Sequence, residues 1–424
     1  MTTTRELSRD TASRTTGSVD AYATPTSSAR RRGTGFWAVA FAFLIVMAFA
    51  TLPSPLYGLY RTRDHLSTLT VTVVYAVFAG GTIAALIFGR VVVARVGRRG
   101  AMLGAVATMI VAAALLADWK ALPGLLVGRV LTGVSVGLAA GTATAYLIEL
   151  RLRDDPNASV LRARTIGTSV NVGALGVGPL VAGVLAQWTG RPLSLPYVVF
   201  IALGTLALVR LAAAPETGAP NRYATATLAV AGIPVPAAAA TIAAFSATGL
   251  FAGLSGLFLA TTLHRPSHAL SGATLFVVFS SGVVSQLATS RLRASRVLAL
   301  GMSSMVVGLV LLVTAVRLPT PSLTLFLVGG ALIGAGAGLV FKGTTGIVLE
   351  AAAPDDRVAM TSTLIMAALS GISIPVIGAG VALYEGASAP NTVLGFAIAV
   401  GAAVALSGWA LLGRRPEAPR SNPV

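Results

Sequence analysis

The chain has 424 residues, of which 55% are hydrophobic and only 11% are charged, and its net charge is +17. Soluble domains carry about 25% charged residues, so this composition argues against a soluble enzyme or a nucleic-acid-binding protein and indicates a protein whose solvent is lipid. Cysteine is absent and there are three histidines, which leaves no disulfide, no thiolate site and little for a metal. We predict no cofactor and no metal.

Apolar segments fill most of the chain after a polar start. Residues 1–35 are rich in Thr, Ser and Arg and are predicted to be a disordered cytoplasmic tail. A membrane-spanning helix needs about 20 mostly apolar residues. Twelve candidates are found, at 36–60, 68–89, 101–117, 122–150, 165–188, 194–213, 237–262, 270–289, 297–316, 322–350, 358–384 and 389–412.

The polar segment 214–236 is predicted to be a central cytoplasmic linker between two six-helix bundles, 36–213 and 237–412, with a short cytoplasmic tail at 413–424. With the N-terminus inside, 23 of the 31 Lys and Arg residues fall on the inner side, six on the outer side and two within helices. Cytoplasmic loops collect basic residues, so both termini are predicted to be cytoplasmic in a multi-pass protein of the cell membrane. The preference for Arg over Lys suggests a GC-rich genome, such as that of an actinobacterium.

The outer end of the first apolar segment reads "TLPSPLYGLY", residues 51–60. Proline removes a backbone donor, so Pro53 and Pro55 predict a break in the helix. We expect Tyr57 to face a cavity and Tyr60 an interface. The alternative is a bent end that lies at the level of the lipid headgroups.

The two halves resemble each other. Residues 126–150 align without gaps on 327–351, with nine of 25 positions identical. The matches include Gly133 with Gly334, Gly137 with Gly338 and Glu149 with Glu350. Repeated halves are typical of transporters in which one bundle rocks against the other around a central site.

The loop after the second segment, "GRVVVARVGRRGAM" (89–102), resembles the signature loop of the major facilitator superfamily, G-x-x-x-D-R-x-G-R-R. The positions that match are Arg95, Gly97, Arg98 and Arg99. Ala94 replaces the usual aspartate, which in the family helps to lock the cytoplasmic gate. The resemblance implies that Arg95, Arg98 and Arg99 belong to this gate. The alternative is a basic loop that only sets the orientation in the membrane.

Two further stretches resemble motifs of the same family. "GRVLTGVSVG" (128–137) resembles R-x-L-x-G-x-x-x-G, in which Gly133 and Gly137 allow close helix packing. Its Arg129 is an intramembrane charge, which predicts a role in substrate binding or coupling, or alternatively an anchor for backbone carbonyls. "GALGVGPLVAG" (173–183) resembles the antiporter motif, and it contributes the packing residues Gly178, Pro179 and Gly183.

Charged residues recur at the predicted cytoplasmic ends of both halves. Glu149 and Arg162 flank one loop, and Glu350 and Arg357 flank the equivalent loop of the second half. We predict that they form a cytoplasmic gate; ordinary interfacial charge is the alternative. Asn171 and Lys342 are further candidates for substrate binding or coupling, together with Tyr57 and Arg129; Lys342 could also extend to the cytoplasmic surface.

The sequence therefore predicts an all-α membrane protein with the fold of the major facilitator superfamily, similar to its drug and metabolite exporters. This resemblance implies a non-enzymatic, monomeric secondary transporter that works by alternating access and exports a small organic molecule against protons. No carboxylate lies in the middle of a predicted helix, so the coupling ion is not assigned by the sequence. The alternatives are an importer or uniporter of an organic anion or sugar-like solute, and a sensor that does not transport.

Overall fold

The computed structural model describes residues 33–217, 232–353 and 356–413. Most of each predicted tail and most of the predicted linker lie outside the described residues. All regular elements in the described part are helical, as the composition predicts. A short 3-10 turn, Ser54–Leu56, follows the first helix. The α-helices are α1 (Thr34–Thr51), α2 (Tyr57–Asp64), α3 (Thr68–Asp118), α4 (Leu122–Asp154), α5 (Val160–Trp188), α6 (Leu195–Ala212), α7 (Val235–Thr261), α8 (His268–Ala288), α9 (Ala294–Arg317), α10 (Leu323–Ala351), α11 (Arg357–Tyr384) and α12 (Ala389–Leu412).

The break predicted from Pro53 and Pro55 lies between α1 and α2. Because Pro53 has no N–H to donate to the Phe49 carbonyl, that carbonyl instead accepts from the Leu52 N–H at 3.3 Å. The 3-10 turn follows, and α2 continues to Asp64. The three pieces form one apolar segment.

Helix α3 is 51 residues long, which at 1.5 Å per residue is about 77 Å, more than twice the thickness of a bilayer core. It is interrupted at Gly97, whose φ of 75° and ψ of 177° are not helical. Residues 68–96 and 98–118 are thus two helices that meet at this glycine. The described residues hold eleven helical segments long and apolar enough to span a membrane. Twelve crossings require α3 to cross the membrane twice. This topology stays a prediction, as does the cytoplasmic location of both termini.

The internal repeat of the sequence has a counterpart in packing. Gly133 and Gly137 of α4 lie against the first part of α3, where a Cβ on Gly137 would lie 2.6 Å from the Thr82 carbonyl oxygen. At the equivalent positions of α10, a Cβ on Gly338 would lie 2.6 Å from the Gly282 carbonyl oxygen of α8. Matching glycines therefore allow the matching helix of each half to approach the backbone of its neighbour.

The two halves, α1–α6 and α7–α12, meet along α5 with α8 and along α3 with α11. A Cβ on Gly183 would overlap the His268 carbonyl oxygen, and one on Gly272 would overlap the Pro179 carbonyl oxygen. The Gln187 side chain also accepts hydrogen bonds from Ser267 Oγ (3.1 Å) and the His268 N–H (2.9 Å). These contacts lie at the end of the bundle that the sequence predicts to be outer, which we call the outer end; the opposite end is the inner end.

All four tryptophans of the chain are exposed, and each lies within a turn of a helix end: Trp37, Trp119, Trp188 and Trp409. An exposed indole is uncommon in a soluble protein, but tryptophan is enriched where a membrane protein crosses the two lipid–water interfaces. Their positions at both ends of the bundle agree with a multi-pass membrane protein.

Candidate functional site

Arg129 lies between α1, α3 and α4 of the first half and is the largest fully buried side chain of the described residues, at 1% exposure. Its Nη1 donates to the Ala50 carbonyl oxygen at 2.7 Å, and its Nη2 lies 3.4 Å from the Tyr75 carbonyl oxygen. The guanidinium also lies 4.8 Å from the centroid of the Phe78 ring. Ala50 is in the last turn of α1, where carbonyls lack helical partners, so Arg129 caps α1 and ties it to α3 and α4.

This geometry matches the alternative expected for Arg129, an anchor for backbone carbonyls. Its Nε is buried and has no hydrogen-bond partner among the described residues. A role of Arg129 in substrate binding or coupling stays a prediction, and the contacts show which bonds would have to break for it.

The tyrosines that follow the break have different environments. Tyr60 is fully buried, and its hydroxyl lies 3.2 Å from that of Tyr197 in α6. Tyr57 packs edge-on against Tyr75 at 6.4 Å between ring centroids, and its buried hydroxyl has no hydrogen-bond partner in the described part of the chain. Tyr57 also lines a cavity at the outer end. Tyr57 thus borders a cavity, whereas Tyr60 is buried inside the first half and does not lie at the interface expected for it. A role of Tyr57 in substrate binding or coupling stays a prediction.

One hydrogen bond links the end of α1 to the carbonyl in α5 that Pro179 leaves without a helical donor. Proline cannot donate to the carbonyl four residues earlier, which is that of Leu175. The Thr51 hydroxyl donates to this Leu175 carbonyl at 2.6 Å. A Cβ on the neighbouring Gly178 would overlap the Ala48 carbonyl oxygen. The antiporter-like motif of α5 therefore packs directly on the last turn of α1.

At the inner end, a charged cluster is assembled within the first half. Arg98 Nε lies 2.6 Å from Glu149 Oε2. Glu216, which follows α6, accepts hydrogen bonds from the backbone N–H groups of Arg98 (2.9 Å) and Arg99 (3.1 Å). Glu216 thereby caps the helix that begins after Gly97, where a carboxylate is favoured by the helix dipole.

Gly97 is required at this junction for two reasons. Its φ of 75° is rarely adopted by residues with a side chain, and a Cβ there would lie 2.7 Å from Glu216 Oε2. The segment after α6 is held further by Tyr146, whose hydroxyl donates to the Pro215 carbonyl at 2.7 Å, and by Thr217, whose hydroxyl donates to Glu149 at 2.7 Å. A carboxylate thus lies beside this loop although Ala94 replaces the usual aspartate.

Other predicted gate residues are not brought together. Arg95, Arg162, Glu350 and Arg357 are exposed, and none is in an ion pair with another described residue. The repeated charges therefore differ between the two halves, because Glu149 pairs with Arg98, whereas Glu350 has no equivalent pair among the described residues. Their joint action as a gate stays a prediction.

The two remaining binding candidates have different surroundings. Lys342 Nζ donates to the Gln286 carbonyl at 2.7 Å and to Thr289 Oγ1 at 3.2 Å, so it caps the C-terminus of α8 within the second half. Asn171 is half-buried in α5, and its Oδ1 has no hydrogen-bond partner among the described residues.

Glu216 and Thr51 are missing from the sequence-based candidates. Glu216 lies in the segment predicted to be a linker, and its role depends on a fold that returns α6 to the start of residues 98–118. The only local signal is an acid directly after an apolar helix. The signal for Thr51 is Pro179, which leaves the Leu175 carbonyl without a helical donor, but the donor itself lies 124 residues away in sequence.

Two comparisons with known proteins agree with this architecture. Residues 33–151 match the family model described as "Sugar (and other) transporter", a region that includes the loop at 89–102 and Arg129. Two crystal structures of the nucleoside transporter NupG, one of them of a point mutant, superpose on nearly the whole chain. The mutant has a TM-score of 0.68, 9% sequence identity and coverage of 90% of this chain and 99% of NupG. The other structure has a TM-score of 0.65 and 12% sequence identity, and the match covers 91% of this chain and 100% of NupG.

The chain has the fold of NupG. The identity is too low to carry over more than the fold, and the family match covers only the first part of the chain. A search of curated proteins finds no sequence match. The comparisons agree with the predicted resemblance to the major facilitator superfamily at the level of transporters, but they do not favour a drug exporter over an importer.

Proposed function

We propose that this protein is a secondary transporter that moves a small organic molecule across the cell membrane by alternating access. The supporting observation is the unequal junction between the halves. At the outer end, α5 and α8 touch backbone to backbone through Gly183 and Gly272. At the inner end of α5, residues 160–165 are exposed except for Ala163. Two rigid bundles in tight contact at one end only can rock about a central site.

Glycine contacts suit such a junction because the closest approach, at Gly183 and Gly272, is between backbones. Separation of the outer ends costs van der Waals contacts and the hydrogen bonds of Gln187 with Ser267 and His268. The charged cluster of Arg98, Glu149 and Glu216 lies wholly within the first half, so this half can move as one body.

The test of alternating access uses the absence of native cysteine. In a single-cysteine Asn171→Cys protein, Gly272→Leu should force α5 and α8 apart at the outer end and raise labelling by an impermeant thiol reagent from outside. Gly190→Leu is the matched control, because a Cβ there meets open space. Equal labelling of all three proteins would contradict the proposed motion.

We further propose export in exchange for protons, with import or uniport of a sugar-like or nucleoside-like solute as the second candidate. The antiporter-like stretch around Pro179 favours export, whereas the sugar-transporter match over residues 33–151 favours import. Uptake of labelled glucose, uridine and a cationic dye into right-side-out and inverted vesicles, with and without an uncoupler, separates these. Export requires uncoupler-sensitive uptake into inverted vesicles only. Absence of flux for broad solute panels would favour a sensor.

A further inference from the structure

The register of α5 against α8 shows which inner-end residues face each other across the opening between the halves. The two helices run antiparallel: a Cβ on Gly183 would overlap the His268 carbonyl oxygen near the outer end, and a Cβ on Gly173 would lie 3.6 Å from the Val283 side chain further in. Because both helices have the same rise per residue, this register continues inwards and places the start of α5 opposite residues 289–293, the loop that joins α8 to α9.

Arginines lie on both sides of this opening. Arg162 and Arg164 belong to the first two turns of α5. The facing loop contains Arg291 and Arg293, and Arg296 follows in the first turn of α9. All five are exposed, and none forms an ion pair with another described residue. No ion pair in the described part of the chain therefore neutralises these charges.

Carboxylates are scarce on the second-half side of the opening. The sequence has no Asp or Glu between Glu216 and Glu350. Glu350 lies about one turn beyond Gly346. Gly346 approaches the start of α9, since a Cβ on it would lie 2.7 Å from the Ala294 Cβ. The fold thus brings Glu350 towards the three arginines of this side, and a single carboxylate leaves them with a net positive charge.

The first-half side of the opening is also positive. Residues 151–164 contain four arginines and two carboxylates, because Asp154 ends α4 and Asp155 follows it. Glu149, one turn before them, is already paired with Arg98. Closure of the inner ends would therefore bring together two surfaces that each hold more arginines than carboxylates, and like charges that approach each other repel.

We propose that repulsion between these arginines holds the inner side open, so that the arrangement with an open inner side is the resting state when no substrate is bound. The inference rests on the proposed alternating access and concerns which of its two states is favoured. The same two helices touch through the backbones of Gly183 and Gly272 at the outer end and repel at the inner end. Arg162 then opposes closure, which is the reverse of the gate-forming role that the repeated charges of the sequence predict.

The first test varies the salt concentration and leaves every arginine in place. Ser159 and Ser290 are exposed on the two sides of the opening, and the chain has no native cysteine. Uncharged spin labels on Ser159→Cys with Ser290→Cys report the distance between the inner ends by double electron–electron resonance, in purified full-length protein in zwitterionic nanodiscs. A rise from about 10 mM to about 500 mM sodium chloride shortens the screening length from about 30 Å to about 4 Å, so the ratio of closed to open inner ends should rise roughly tenfold.

The direction of the salt effect decides between repulsion and attraction. If Asp155 or Glu350 attracted the facing arginines strongly enough to favour closure, added salt would instead lower the closed population. A closed population that falls with salt, or that does not change, would overturn the proposal.

The second test reverses the charges on one side and then on both. Two unit charges about 8 Å apart in water change an equilibrium about twofold, so Arg291→Glu with Arg293→Glu, which turns four repulsive pairs into attractive ones, should raise the closed-to-open ratio roughly hundredfold at low salt. Addition of Arg162→Glu with Arg164→Glu makes both surfaces negative and should restore the open population. Loss of a specific arginine contact would not be reversed in this way, so a fourfold variant that stays as closed as the double variant would refute the repulsion.

Arg210→Glu is the matched control. Arg210 is an exposed arginine in the last turn of α6, also at the inner end, but α6 packs against α1 and α3 of its own half. Its reversal should change the closed-to-open ratio less than twofold, because the charge lies away from the opening. An effect as large as that of Arg291→Glu alone would show that total charge, and not the facing arginines, sets the ratio.

Gly272→Leu separates this inference from alternating access itself. It should force the outer ends apart and so shorten the distance between the inner-end labels. If Gly272→Leu shortens this distance while salt and the arginine substitutions do not, the repulsion is wrong and alternating access stands. If none of these changes alters the distance, both proposals are wrong.

Discussion

Replacement of Arg129 by methionine is expected to destabilise the first half of the protein before it affects any particular substrate. Methionine is apolar and close in length, so it fills space but makes none of the hydrogen bonds. The change leaves the Ala50 carbonyl without its donor in the last turn of α1. It also removes the cation above the Phe78 ring.

The expected cost follows from these contacts. A hydrogen bond from a charged donor contributes about 1.5–3 kcal/mol, and the cation–π contact about 0.5–2 kcal/mol. The 3.4 Å contact with the Tyr75 carbonyl is long and adds little. Arg129→Met should therefore lower the free energy of unfolding by about 2–5 kcal/mol, and Arg129→Lys, which keeps one donor, by about half as much.

Thermal unfolding in detergent, followed by transport in proteoliposomes, separates stability from function. For a half of this size, the loss corresponds to a fall in Tm of roughly 4–20 °C. Arg191→Met, at an exposed outer-end position, controls for loss of charge. If Arg129→Met keeps the wild-type Tm and yet abolishes transport, the capping explanation is wrong and Arg129 acts on the substrate or the coupling ion.

Three further predictions concern single hydrogen-bonding groups, and each is checked by thermal unfolding. Thr51→Val leaves the Leu175 carbonyl, which has no donor from Pro179, without a partner and should lower the free energy of unfolding by about 1–3 kcal/mol. A Tm equal to that of the wild type would show that another donor replaces Thr51. Glu216→Gln keeps the shape but removes the charge at the helix start, so a loss of about 0.5–2 kcal/mol that shrinks in high salt is expected; a salt-independent loss would contradict the dipole argument. Tyr60→Phe should lower the Tm because a buried hydroxyl pair is lost, while Tyr57→Phe should not, and the reverse order would refute the assignment of their environments.

The all-helical architecture and the break after α1 could be predicted from sequence because each depends on local properties. A long apolar run in lipid must satisfy its backbone hydrogen bonds internally and therefore forms a helix. Pro53 has no backbone N–H to donate, whatever its surroundings. The internal repeat was equally accessible, since Gly137 and Gly338 need close neighbours regardless of which helix supplies them. These features required no knowledge of distant contacts.

The partners of the charged residues could not be predicted in this way. Arg129 could bind a solute or a carbonyl, and only the position of Ala50, 79 residues away, distinguishes these uses. The pairing of Arg98 with Glu149 rather than with the second half depends on how the helices return to the inner end. The role of Glu216 is not visible in the sequence because its carboxylate caps a helix that begins 118 residues earlier in the chain.

The central position of α1 has a consequence for the order of synthesis. Fourteen of its 18 residues are buried, although α1 leaves the ribosome before every other described helix. When it enters the membrane, the helices that will surround it do not yet exist, and the arginine that caps it is some 80 residues from being made. Helix α1 must therefore stay in lipid, or beside the insertion machinery, with a lipid-compatible surface on every side. This accounts for an almost uniformly apolar sequence from Phe36 to Ala50, in a helix that in the finished protein hardly touches lipid.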